Sequence, residues 1–418
     1  MARLLILGGT SGTISLIKRA KELNHYVAVI DQKPDAIAKG YADISFDVSG
    51  YEIDKIIEII RNNQLEFVLL GVAEKLMAPY VTICKLLNLP CYSTSALFEI
   101  YSNKKAFREK CIKYNVPTIT GYIEEIDNCR ECKIKYPVIL KPTDECGSRG
   151  IKVCYNDEDF KTGIKTIKEI TRDKNVIIEK YLSGKEIVAY YSFQNGKSYF
   201  TTMCDRYVYK ENEKSIQLPE CYIYPSKYTK HFEQRCANNF TVMFKETNVK
   251  EGSMFLQGFV DNDEFYFYES GYRLNGAQEH IIVSSTCKLD VRDLYLEYAI
   301  KGDTSAINVE SLVDPYLRGK IGCKLSPLIK QGVIKNFIGL EELSKIKEII
   351  EMVPNHKIGD SVKEYGTLDQ IAYRFFIVTE NIEKMKETIG CIVEKFDVIN
   401  EKGESLILHR FDAKSIDY

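Results

Sequence analysis

The sequence lacks both a long apolar run and a strong excess of charge of one sign. The apolar run nearest the N-terminus, Leu4–Leu7, is followed directly by Gly8-Gly9. A secretory signal needs a longer apolar region, and a membrane span needs about 20 apolar residues. The net charge of −2 gives no general attraction to nucleic acid, although a local basic groove is compatible with that sum. We therefore expect a soluble, cytoplasmic protein with neither membrane nor nucleic-acid partners.

Cysteines are numerous, but their spacing indicates neither a disulfide framework nor a zinc site. Thirteen are scattered along the chain, and Cys129 and Cys132 form a lone C-x-x-C pair. A structural zinc site of this type needs a second pair, which the sequence does not contain. Reduced thiols are the simpler interpretation. The sequence also has no internal repeat and no G-x-x-x-x-G-K-[ST] phosphate loop.

Strand-like and helix-like apolar periods alternate over the N-terminal part of the chain. We predict strands at Leu4–Leu7, Tyr26–Ile30, Ile44–Val48 and Phe67–Leu70, with helices at Thr10–Leu23 and from Ile53. This alternation predicts a parallel sheet covered by helices. Further along, strands occur in hairpin-like pairs, and the segment from about Ile334 is predicted to be a smaller α+β unit with a helix near Leu340–Met352.

A glycine-rich loop follows the first strand. Gly8, Gly9 and Gly12 lie between a strand and a helix, and Asp31 ends the next strand, where dinucleotide-binding folds place an acid for the ribose. The glycine spacing differs from G-x-G-x-x-G, which argues against an NAD-dependent oxidoreductase without excluding one. A general anion site at the helix N-terminus and a tight turn without a ligand are equally compatible with the loop.

A second polar loop lies between two predicted strands, Tyr136–Leu140 and Ile151–Tyr155. Lys141 follows the first strand, and Gly147-Ser148-Arg149-Gly150 precedes the second. A lysine at a strand end can hold a phosphate as a fixed charge, and small residues let backbone N–H groups close over phosphate oxygens. A surface hairpin with an exposed lysine explains the same pattern equally well.

The next apolar strand, Val176–Ile178, runs into a short connector. Glu179–Leu182 could read an adenine edge through backbone groups, and Glu186 could accept hydrogen bonds from ribose hydroxyls. A plain loop between two lobes accounts for the same residues.

A hairpin with an acidic end carries candidate metal ligands. If its turn has three residues, Gln257 and Glu269 lie on one face together with Phe265 and Phe267. Glu269 is then a carboxylate at the end of a buried face, which requires a metal ion or a counter-charge. Arg273 could neutralise a transferring phosphoryl group or form a structural ion pair with Glu269.

In this order and spacing, the three elements resemble the ATP-grasp superfamily, and specifically its carboxylate–amine ligases. The chain is similar along nearly its whole length to bacterial amino-acid ligases, biotin carboxylase and the large subunit of carbamoyl-phosphate synthase. The resemblance implies an α/β and α+β multidomain fold with ATP between two lobes. The expected parts are a Rossmann-like domain (1–102), an ATP-grasp small lobe with a lid (103–190), a large lobe with a metal site (191–333) and a C-terminal α+β subdomain (334–418).

The resemblance also implies roles for individual residues. The implied ATP-binding residues are Lys104, Lys141, Gly147, Ser148, Arg149, Gly150, Glu179, Lys180, Tyr181, Leu182 and Glu186. The implied metal ligands are Glu269, Gln257 and Asn275, and Arg273 is the implied catalytic residue. Substrate contacts are expected at Arg206, Ser226 and Glu74. The first metal position is often acidic in the family, and many relatives have Asn where this chain has Gly271, so binding of two metals is in question.

The implied reaction uses ATP and Mg²⁺ to join a small-molecule carboxylate, through an acyl phosphate, to an amine. The C-terminal resemblance favours an amino acid or a related small acid. Three alternatives stay open: a non-catalytic ATP-binding sensor, an NAD-dependent oxidoreductase, and an N-carboxylating enzyme that uses bicarbonate. A homodimer is also compatible with the resemblance, because dimers are common among such proteins.

Overall fold

The computed structural model of the protein describes residues 1–143, 150–172, 174–210, 217–363 and 365–418. These residues form a four-stranded parallel sheet, a four-stranded antiparallel sheet and an eight-stranded antiparallel sheet, with short two-stranded ribbons. The mixed α/β and α+β fold class predicted from the sequence is confirmed. None of the helices in the described ranges is long and apolar enough to span a membrane.

The N-terminal region is a parallel sheet flanked by helices. Its elements are β1 (Arg3–Leu7), α1 (Ile14–Glu22), β2 (Tyr26–Ile30), β3 (Ile44–Phe46), α2 (Ile53–Asn62), β4 (Phe67–Leu70), α3 (Met77–Leu87), α4 (Ser95–Ser102) and α5 (Lys104–Lys113). The strands are ordered β3-β2-β1-β4, and their pairings are parallel. Leu4–Leu7 is fully buried, as expected for a strand covered on both faces. The alternating pattern in the sequence therefore predicted this sheet correctly.

The small sheet forms one side of the later site. Its elements are β5 (Gly121–Glu125), β6 (Val138–Pro142), β7 (Lys152–Cys154), α6 (Asp157–Ile170) and β8 (Asn175–Lys180). The strand order is β5-β8-β6-β7, with antiparallel pairing throughout. Helix α6 begins after Asn156, whose side chain accepts from the Asp159 N–H. Its buried face packs Phe160 and Ile167 against Val138 of β6, so the sheet that carries Lys141 is supported from behind.

The large sheet forms the other side. Its region contains β9 (Lys185–Gln194), β10 (Lys197–Tyr209), β11 (Leu218–Tyr224), α7 (Thr229–Arg235), α8 (Ala237–Glu246), β12 (Gly252–Asp261), β13 (Glu264–Gly271), α9 (His280–Cys287), α10 (Val291–Lys301), α11 (Val309–Leu312) and β14 (Ile321–Leu325). Phenylalanines on α7 and α8, among them Phe232 and Phe240, pack against Phe265 and Phe267 on one face of the sheet. The opposite face is therefore available to a ligand.

The C-terminal region extends the large sheet. Its elements are β15 (Gly332–Val333), β16 (Asn336–Ile338), α12 (Leu340–Leu343), β17 (Ile349–Pro354), β18 (Ser361–Val362), β19 (Tyr373–Thr379), α13 (Ile382–Lys395) and β20 (Asp397–Ile399). The complete order of the large sheet is β13-β12-β9-β10-β11-β14-β19-β17. Strand β19 thus lies beside β14, and α13 covers it with a separate apolar core.

One helix predicted in this region is only a single turn and is followed by a strand. The helix expected near Leu340–Met352 ends at Leu343, and Ile349–Pro354 pairs with β19 at the sheet edge. Isoleucine and valine suit a half-buried strand, and pairing with β19 outweighs the helical spacing of the upstream leucines. The expected domain boundaries at 102, 190 and 333 stay predictions.

An aromatic cluster fixes the N-terminal region against the large sheet. The Tyr92 ring contacts Tyr272 and Tyr295 edge-on, with ring centres 5.4 and 4.9 Å apart. The Tyr272 hydroxyl donates to the backbone carbonyl oxygen of Tyr92 at 3.2 Å, and the Tyr92 hydroxyl donates to the backbone carbonyl oxygen of Tyr272, also at 3.2 Å. These reciprocal contacts place the loops of the parallel sheet at the edge of the large sheet, where the candidate site lies.

Candidate active site

A cavity of about 640 Å³ opens between the small sheet, the large sheet and the N-terminal region. Ile139 and Val153 of the small sheet line one wall, and the face of the large sheet away from α7 and α8 lines the other. Of the residues implied by the family resemblance, it is lined by Glu74, Lys104, Lys141, Lys180, Tyr181, Leu182, Glu186, Arg206, Gln257, Glu269, Arg273 and Asn275. The fold therefore brings most of the implied site residues into one space.

The floor of the cavity is a row of side chains that crosses five strands of the large sheet. Phe259, Glu186, Arg206, Tyr222 and Lys324 lie directly opposite one another in successive strand pairings. Side chains that are opposite in antiparallel strands point to the same face. All five side chains line the cavity. In this order they are an aromatic ring, a carboxylate, a guanidinium, a second aromatic ring and a lysine amino group.

Lys141 enters the cavity from the small sheet as half of a buried ion pair. Its Nζ lies 2.7 Å from a carboxylate oxygen of Glu179 and 4.6 Å from the centre of the Tyr268 ring. The Arg108 guanidinium lies 3.7 Å from the other Glu179 oxygen. Glu179 itself is not among the described residues that line the cavity. Its side chain is a counter-charge for Lys141, and the contact of the Glu179 backbone with adenine stays a prediction.

The connector after β8 has already used two of its backbone donors. The N–H groups of Lys180 and Tyr181 donate to the carbonyl oxygens of Thr120 and Pro137, at 2.9 and 3.0 Å. An adenine ring placed here would therefore meet other backbone groups and the Leu182 side chain. Lys180, Tyr181 and Leu182 all line the cavity.

Glu186 and Arg206 form a cross-strand ion pair on the floor. Their charged atoms are 2.9 Å apart, and both side chains are about nine-tenths buried. The pair is not aligned as a hydrogen bond: within the described residues, Glu186 Oε2 and Arg206 Nε have no hydrogen-bond partner. Buried polar atoms are usually satisfied, so both groups retain bonding capacity that a ligand could use.

The turn of the β12–β13 hairpin is shorter than expected. Asp261 pairs with Glu264, which leaves the two-residue turn Asn262-Asp263. Both turn residues have positive φ angles, 50° and 62°, and such turns match the right-handed twist of a hairpin. The prediction of a three-residue turn is therefore wrong, because asparagine and aspartate tolerate this backbone conformation.

A β-bulge nevertheless brings the two expected metal ligands together. The register shifts so that Tyr268 is the extra residue and Gln257 lies directly opposite Glu269. Tyr268 and Glu269 both line the cavity, whereas Phe265 and Phe267 face the helices behind the sheet. The expectation that these phenylalanines share a buried face with Glu269 is wrong. Glu269 is half-buried at the cavity wall.

The expected metal ligands differ in how strongly the protein engages them. Gln257 Oε1 accepts from the Tyr268 hydroxyl at 3.1 Å, and Asn275 Oδ1 accepts from the Ala277 N–H at 3.1 Å. The described part of the chain contains no cluster of three or more His, Cys, Asp or Glu side chains that could hold a metal alone. One carboxylate, Glu269, beside amide oxygens fits Mg²⁺, which commonly takes its remaining ligands from phosphate and water.

Arg273 pairs with the N-terminal region rather than with its own hairpin. Its guanidinium donates to Glu74 at 3.0 Å and to the Leu274 carbonyl oxygen at 3.1 Å. Arg273 Nε has no hydrogen-bond partner among the residues that are described. The alternative of a Glu269–Arg273 ion pair is thus replaced by a Glu74–Arg273 pair that joins two regions of the fold at the cavity.

Some implied site residues lie elsewhere. Ser226 does not line the cavity; its hydroxyl donates to Asp205 at 2.5 Å and accepts from the Tyr228 N–H at 3.0 Å. It fixes the turn after β11, and we no longer assign it a substrate contact. Gly147, Ser148 and Arg149 lie outside the described residues, so their role as a phosphate lid stays a prediction. Gly150, at the edge of that gap, has a φ of 77° and packs beside Pro142.

In the N-terminal glycine-rich loop, the carboxylate of Asp31 is hydrogen-bonded to backbone groups of the protein itself. Asp31 accepts from the N–H groups of Gly9 at 2.8 Å and Lys33 at 2.9 Å. The Ser11 hydroxyl donates to Asn355 at 2.6 Å and accepts from Arg374 at 2.8 Å. The loop is therefore packed against the C-terminal region, and the geometry does not favour its use by a dinucleotide.

Two cavity residues were missed from the sequence. Lys324 on β14 and Arg374 on β19 line the cavity and are 2% and 8% exposed. No local motif surrounds them, because the pairing of β11, β14 and β19 is what brings them to the floor. Burial and then the nearby Arg374 and Arg206 hold the pKa of Lys324 well below its usual range. Burial also lowers the pKa of Arg374 to about 10.

Comparisons with known proteins agree with this geometry. The family model of the ATP-grasp domain matches residues 134–277, which include Lys141, Glu186, Glu269 and Arg273. The carbamoyl phosphate synthase large chain of Agathobacter rectalis is 40% identical over 90 residues, which is 20% of this chain and 8% of that protein. The matches to the first curated relatives span 8% to 31% of the length of those proteins.

Solved structures match over almost the whole chain. An L-amino acid ligase from Bacillus licheniformis has a TM-score of 0.79 at 14% identity, covering 96% of this chain and 99% of that one. The biotin carboxylase domain of the Hydrogenobacter thermophilus 2-oxoglutarate carboxylase, solved with MgADP and bicarbonate, has a TM-score of 0.77 at 15% identity. That match covers 95% of this chain and 91% of the other. The protein therefore carries an ATP-grasp domain at residues 134–277, and its fold is that of the ATP-grasp superfamily.

Proposed function

We propose that this protein is an ATP- and Mg²⁺-dependent ligase that converts a small-molecule carboxylate to an acyl phosphate and joins it to an amine. One observation carries the proposal. A single cavity is lined by a buried lysine from the small sheet, an acid–base pair on the floor, and a carboxylate, an arginine and amide oxygens at the β12–β13 edge. Phosphoryl transfer needs mainly this kind of positioning and charge stabilisation from a protein.

The nucleotide would lie between the two sheets. Lys104 and Lys141 supply fixed positive charge for phosphate oxygens, and Glu186 accepts from ribose hydroxyls. Glu269 and Gln257 would hold Mg²⁺, with Asn275 close by on the following loop. Mg²⁺ would neutralise negative charge on the phosphates when bound.

The chemistry then follows from the charges on the β12–β13 side. An oxygen of the substrate carboxylate attacks the terminal phosphorus of ATP, and the bond from that phosphorus to the bridging oxygen breaks to release ADP. The amine nitrogen next attacks the acyl carbon, phosphate leaves, and the nitrogen loses a proton. Arg273, which pairs with Glu74, would stabilise the negative charge that the phosphoryl group carries in both steps.

The substrate class rests on weaker resemblance than the nucleotide site. The structural match to an L-amino acid ligase, and sequence matches to D-alanine–D-alanine ligases, support an amino acid or a related small acid. The match to a biotin carboxylase domain supports the bicarbonate alternative. A non-catalytic ATP-binding sensor is the second candidate, because Gln257 and Gly271 stand where many relatives have an acid and an asparagine. A homodimer and a cytoplasmic location stay predictions.

Matched alanine variants test the proposal. Glu269→Ala and Lys141→Ala should lower acid- and amine-dependent release of ADP and phosphate by about 10²–10³-fold, the usual effect of removing one transition-state charge partner. The controls are Glu264→Ala on the same hairpin and Lys152→Ala on the same sheet, both exposed, which should leave the rate unchanged. Phosphate release would be screened over pairs of acids and amines, with and without bicarbonate.

Two outcomes would overturn the assignment. Release that survives in Glu269→Ala and Lys141→Ala at near the wild-type rate would place the chemistry elsewhere. Tight ATP binding without substrate-dependent release on any pair would instead support the sensor.

A further inference from the structure

The floor of the cavity continues past the residues that the proposed function uses. Lys324 and Arg374 line the cavity but lie outside the 134–277 match to the ATP-grasp domain. Lys324 belongs to the cross-strand row, next to Tyr222. Arg374 is on the same face, since Lys324 pairs with Phe376 and residues two apart on a strand share a face.

Among the described residues, neither of these two basic side chains faces a carboxylate. No Asp or Glu oxygen of those residues lies within 4 Å of Lys324 Nζ, which instead lies 3.7 Å from the centre of the Tyr222 ring. Arg374 donates to the neutral hydroxyl of Ser11. The neighbouring Arg206, by contrast, forms an ion pair with Glu186. Three buried basic side chains on one face are thus opposed, among the described residues, by one carboxylate on that face.

A further carboxyl group behind this part of the cavity does not remove the imbalance. Glu279 is 4% exposed, and within the described residues none of its carboxylate oxygens lies within 4 Å of a nitrogen of Lys324 or Arg374. Glu279 is also not among the described residues that line the cavity.

Buried charges are costly unless paired, and natural proteins rarely keep them without a reason. The cost is greater here because both Arg374 and Arg206 disfavour a positive charge on Lys324. Both side chains nevertheless face an open cavity of about 640 Å³ rather than a packed core. An anion brought by a ligand would supply the missing partner.

We infer that Lys324 and Arg374 form a subsite for a second anionic group of the acid substrate. The inference rests on the proposed function for the identity of the first group, the carboxylate that is activated near Arg273. The substrate class is then a small acid with an additional carboxylate or phosphate, not a monocarboxylate with a neutral side chain. The shared chemistry is a compact anion that the side chains of Lys324 and Arg374 can hold together.

Matched acid and neutral probes test the subsite. L-Glutamate would be compared with L-glutamine, glutarate with butyrate, and O-phospho-L-serine with L-serine, each with Mg²⁺ and a non-hydrolysable ATP analogue. Calorimetric affinity and the shift in melting temperature are the readouts. In the wild type at least one acidic member should bind roughly tenfold or more tightly than its neutral partner, as expected for one additional charged contact. The carboxylate and phosphate pairs show which anion is preferred.

Substitutions then locate the effect. Lys324→Met and Arg374→Gln should abolish the discrimination between acidic and neutral probes and leave the affinity for the ATP analogue within about twofold. Lys324→Arg, which keeps a basic side chain, should keep the discrimination between acidic and neutral probes. The control is Lys320→Met, at a half-buried lysine just before β14 that pairs with the exposed Glu380. Lys324→Met should also melt at a higher temperature than the wild type without ligand, which separates a binding role from a failure to fold.

The possible results are distinct. Equal binding of acidic and neutral probes by the wild type, no shift with any acidic probe, or discrimination that survives in Lys324→Met would each overturn the subsite. Preference for acidic probes without ADP or phosphate release on any acid and amine would contradict the proposed ligase and leave the subsite standing.

Discussion

The two ends of the cavity carry their buried positive charges in different ways. At the paired end, Lys141 lies 2.7 Å from Glu179, with Arg108 beside the same carboxylate. At the unpaired end, Lys324 and Arg374 meet a tyrosine ring and a serine hydroxyl. Both lysines are nearly fully buried, at 6% and 2% exposed, so the contrast lies in the partners and not in the degree of burial.

This difference indicates how each end responds to a ligand. At the paired end the protein supplies its own carboxylate, so Lys141 is stable before a phosphate arrives and can be shared between Glu179 and a phosphate oxygen. At the unpaired end none of the described residues places a carboxylate oxygen within 4 Å of Lys324, so the free protein bears the cost of burying these basic groups. Ligand binding should therefore stabilise the unpaired end more strongly than the paired end.

Removing the internal partner should break the paired end and have the largest effect. Glu179→Gln leaves Lys141 and Arg108 without their carboxylate, and a buried ion left unpaired typically costs several kcal/mol. We expect the free energy of unfolding to fall by about 3 kcal/mol in urea titrations. ATP with Mg²⁺ should restore part of the loss, because phosphate oxygens replace the carboxylate.

The control for this change is Glu169→Gln, an exposed glutamate on α6 of the same lobe, which should stay within about 0.5 kcal/mol of the wild type. If Glu179→Gln is as stable as the control, the paired end does not depend on its ion pair, and the comparison fails.

The position of Lys141 at the paired end could be predicted from the sequence, but its pairing with Glu179 and Arg108 could not. No residue of the unpaired end was predicted. Lys141 follows an apolar strand and precedes a glycine-rich run, so its position is visible within about 15 residues. Glu186, Glu269 and Arg273 likewise lie beside strand ends or turns. The parallel N-terminal sheet could also be predicted from the sequence, because uninterrupted apolar runs such as Leu4–Leu7 are typical of strands buried on both faces.

The unpaired end depends on long-range pairing that no local pattern shows. Lys324 lies within a short strand and Arg374 within another, about 50 residues later, and only the sheet order β11-β14-β19 brings them together. The hairpin register was missed for a related reason. A shortened turn and a bulge at Tyr268 compensated each other, so the predicted closeness of Gln257 and Glu269 was met through a different register, and the phenylalanines turned to the other face.

The unpaired end should become more stable when a cation is removed, which is the reverse of the result at the paired end. Lys324→Met keeps the apolar stem and removes the buried amino group, whose protonation the folded protein disfavours. We expect the free energy of unfolding to rise by about 1–2 kcal/mol at pH 7.5, as when buried charges are replaced by apolar groups. Lys320→Met, at an exposed ion pair, should change it little.

The stability difference between the wild type and Lys324→Met should also depend on pH. Burial holds the pKa of Lys324 well below its usual range, so between that lowered value and about 10.4 the unfolded chain binds more protons than the folded protein. The wild type should therefore gain stability relative to Lys324→Met as the pH rises through this window. Urea titrations at pH 7.5, 8.5 and 9.5 would measure the difference, and a gap between the two proteins that widens with pH would contradict the assignment.

The smallest expected effect concerns the ring that stands in for a counter-charge at the unpaired end. Tyr222 lies under Lys324 at 3.7 Å and near Arg206 at 5.8 Å, and a cation over an aromatic face gains about 0.5–1 kcal/mol at most sites. Tyr222→Leu should weaken binding of the preferred acidic probe by roughly threefold, since Lys324 loses its remaining favourable contact. Tyr222→Phe keeps the ring face and should bind the probe as the wild type does. Equal losses in the two variants would assign the effect to the hydroxyl, and the ring would then contribute packing alone.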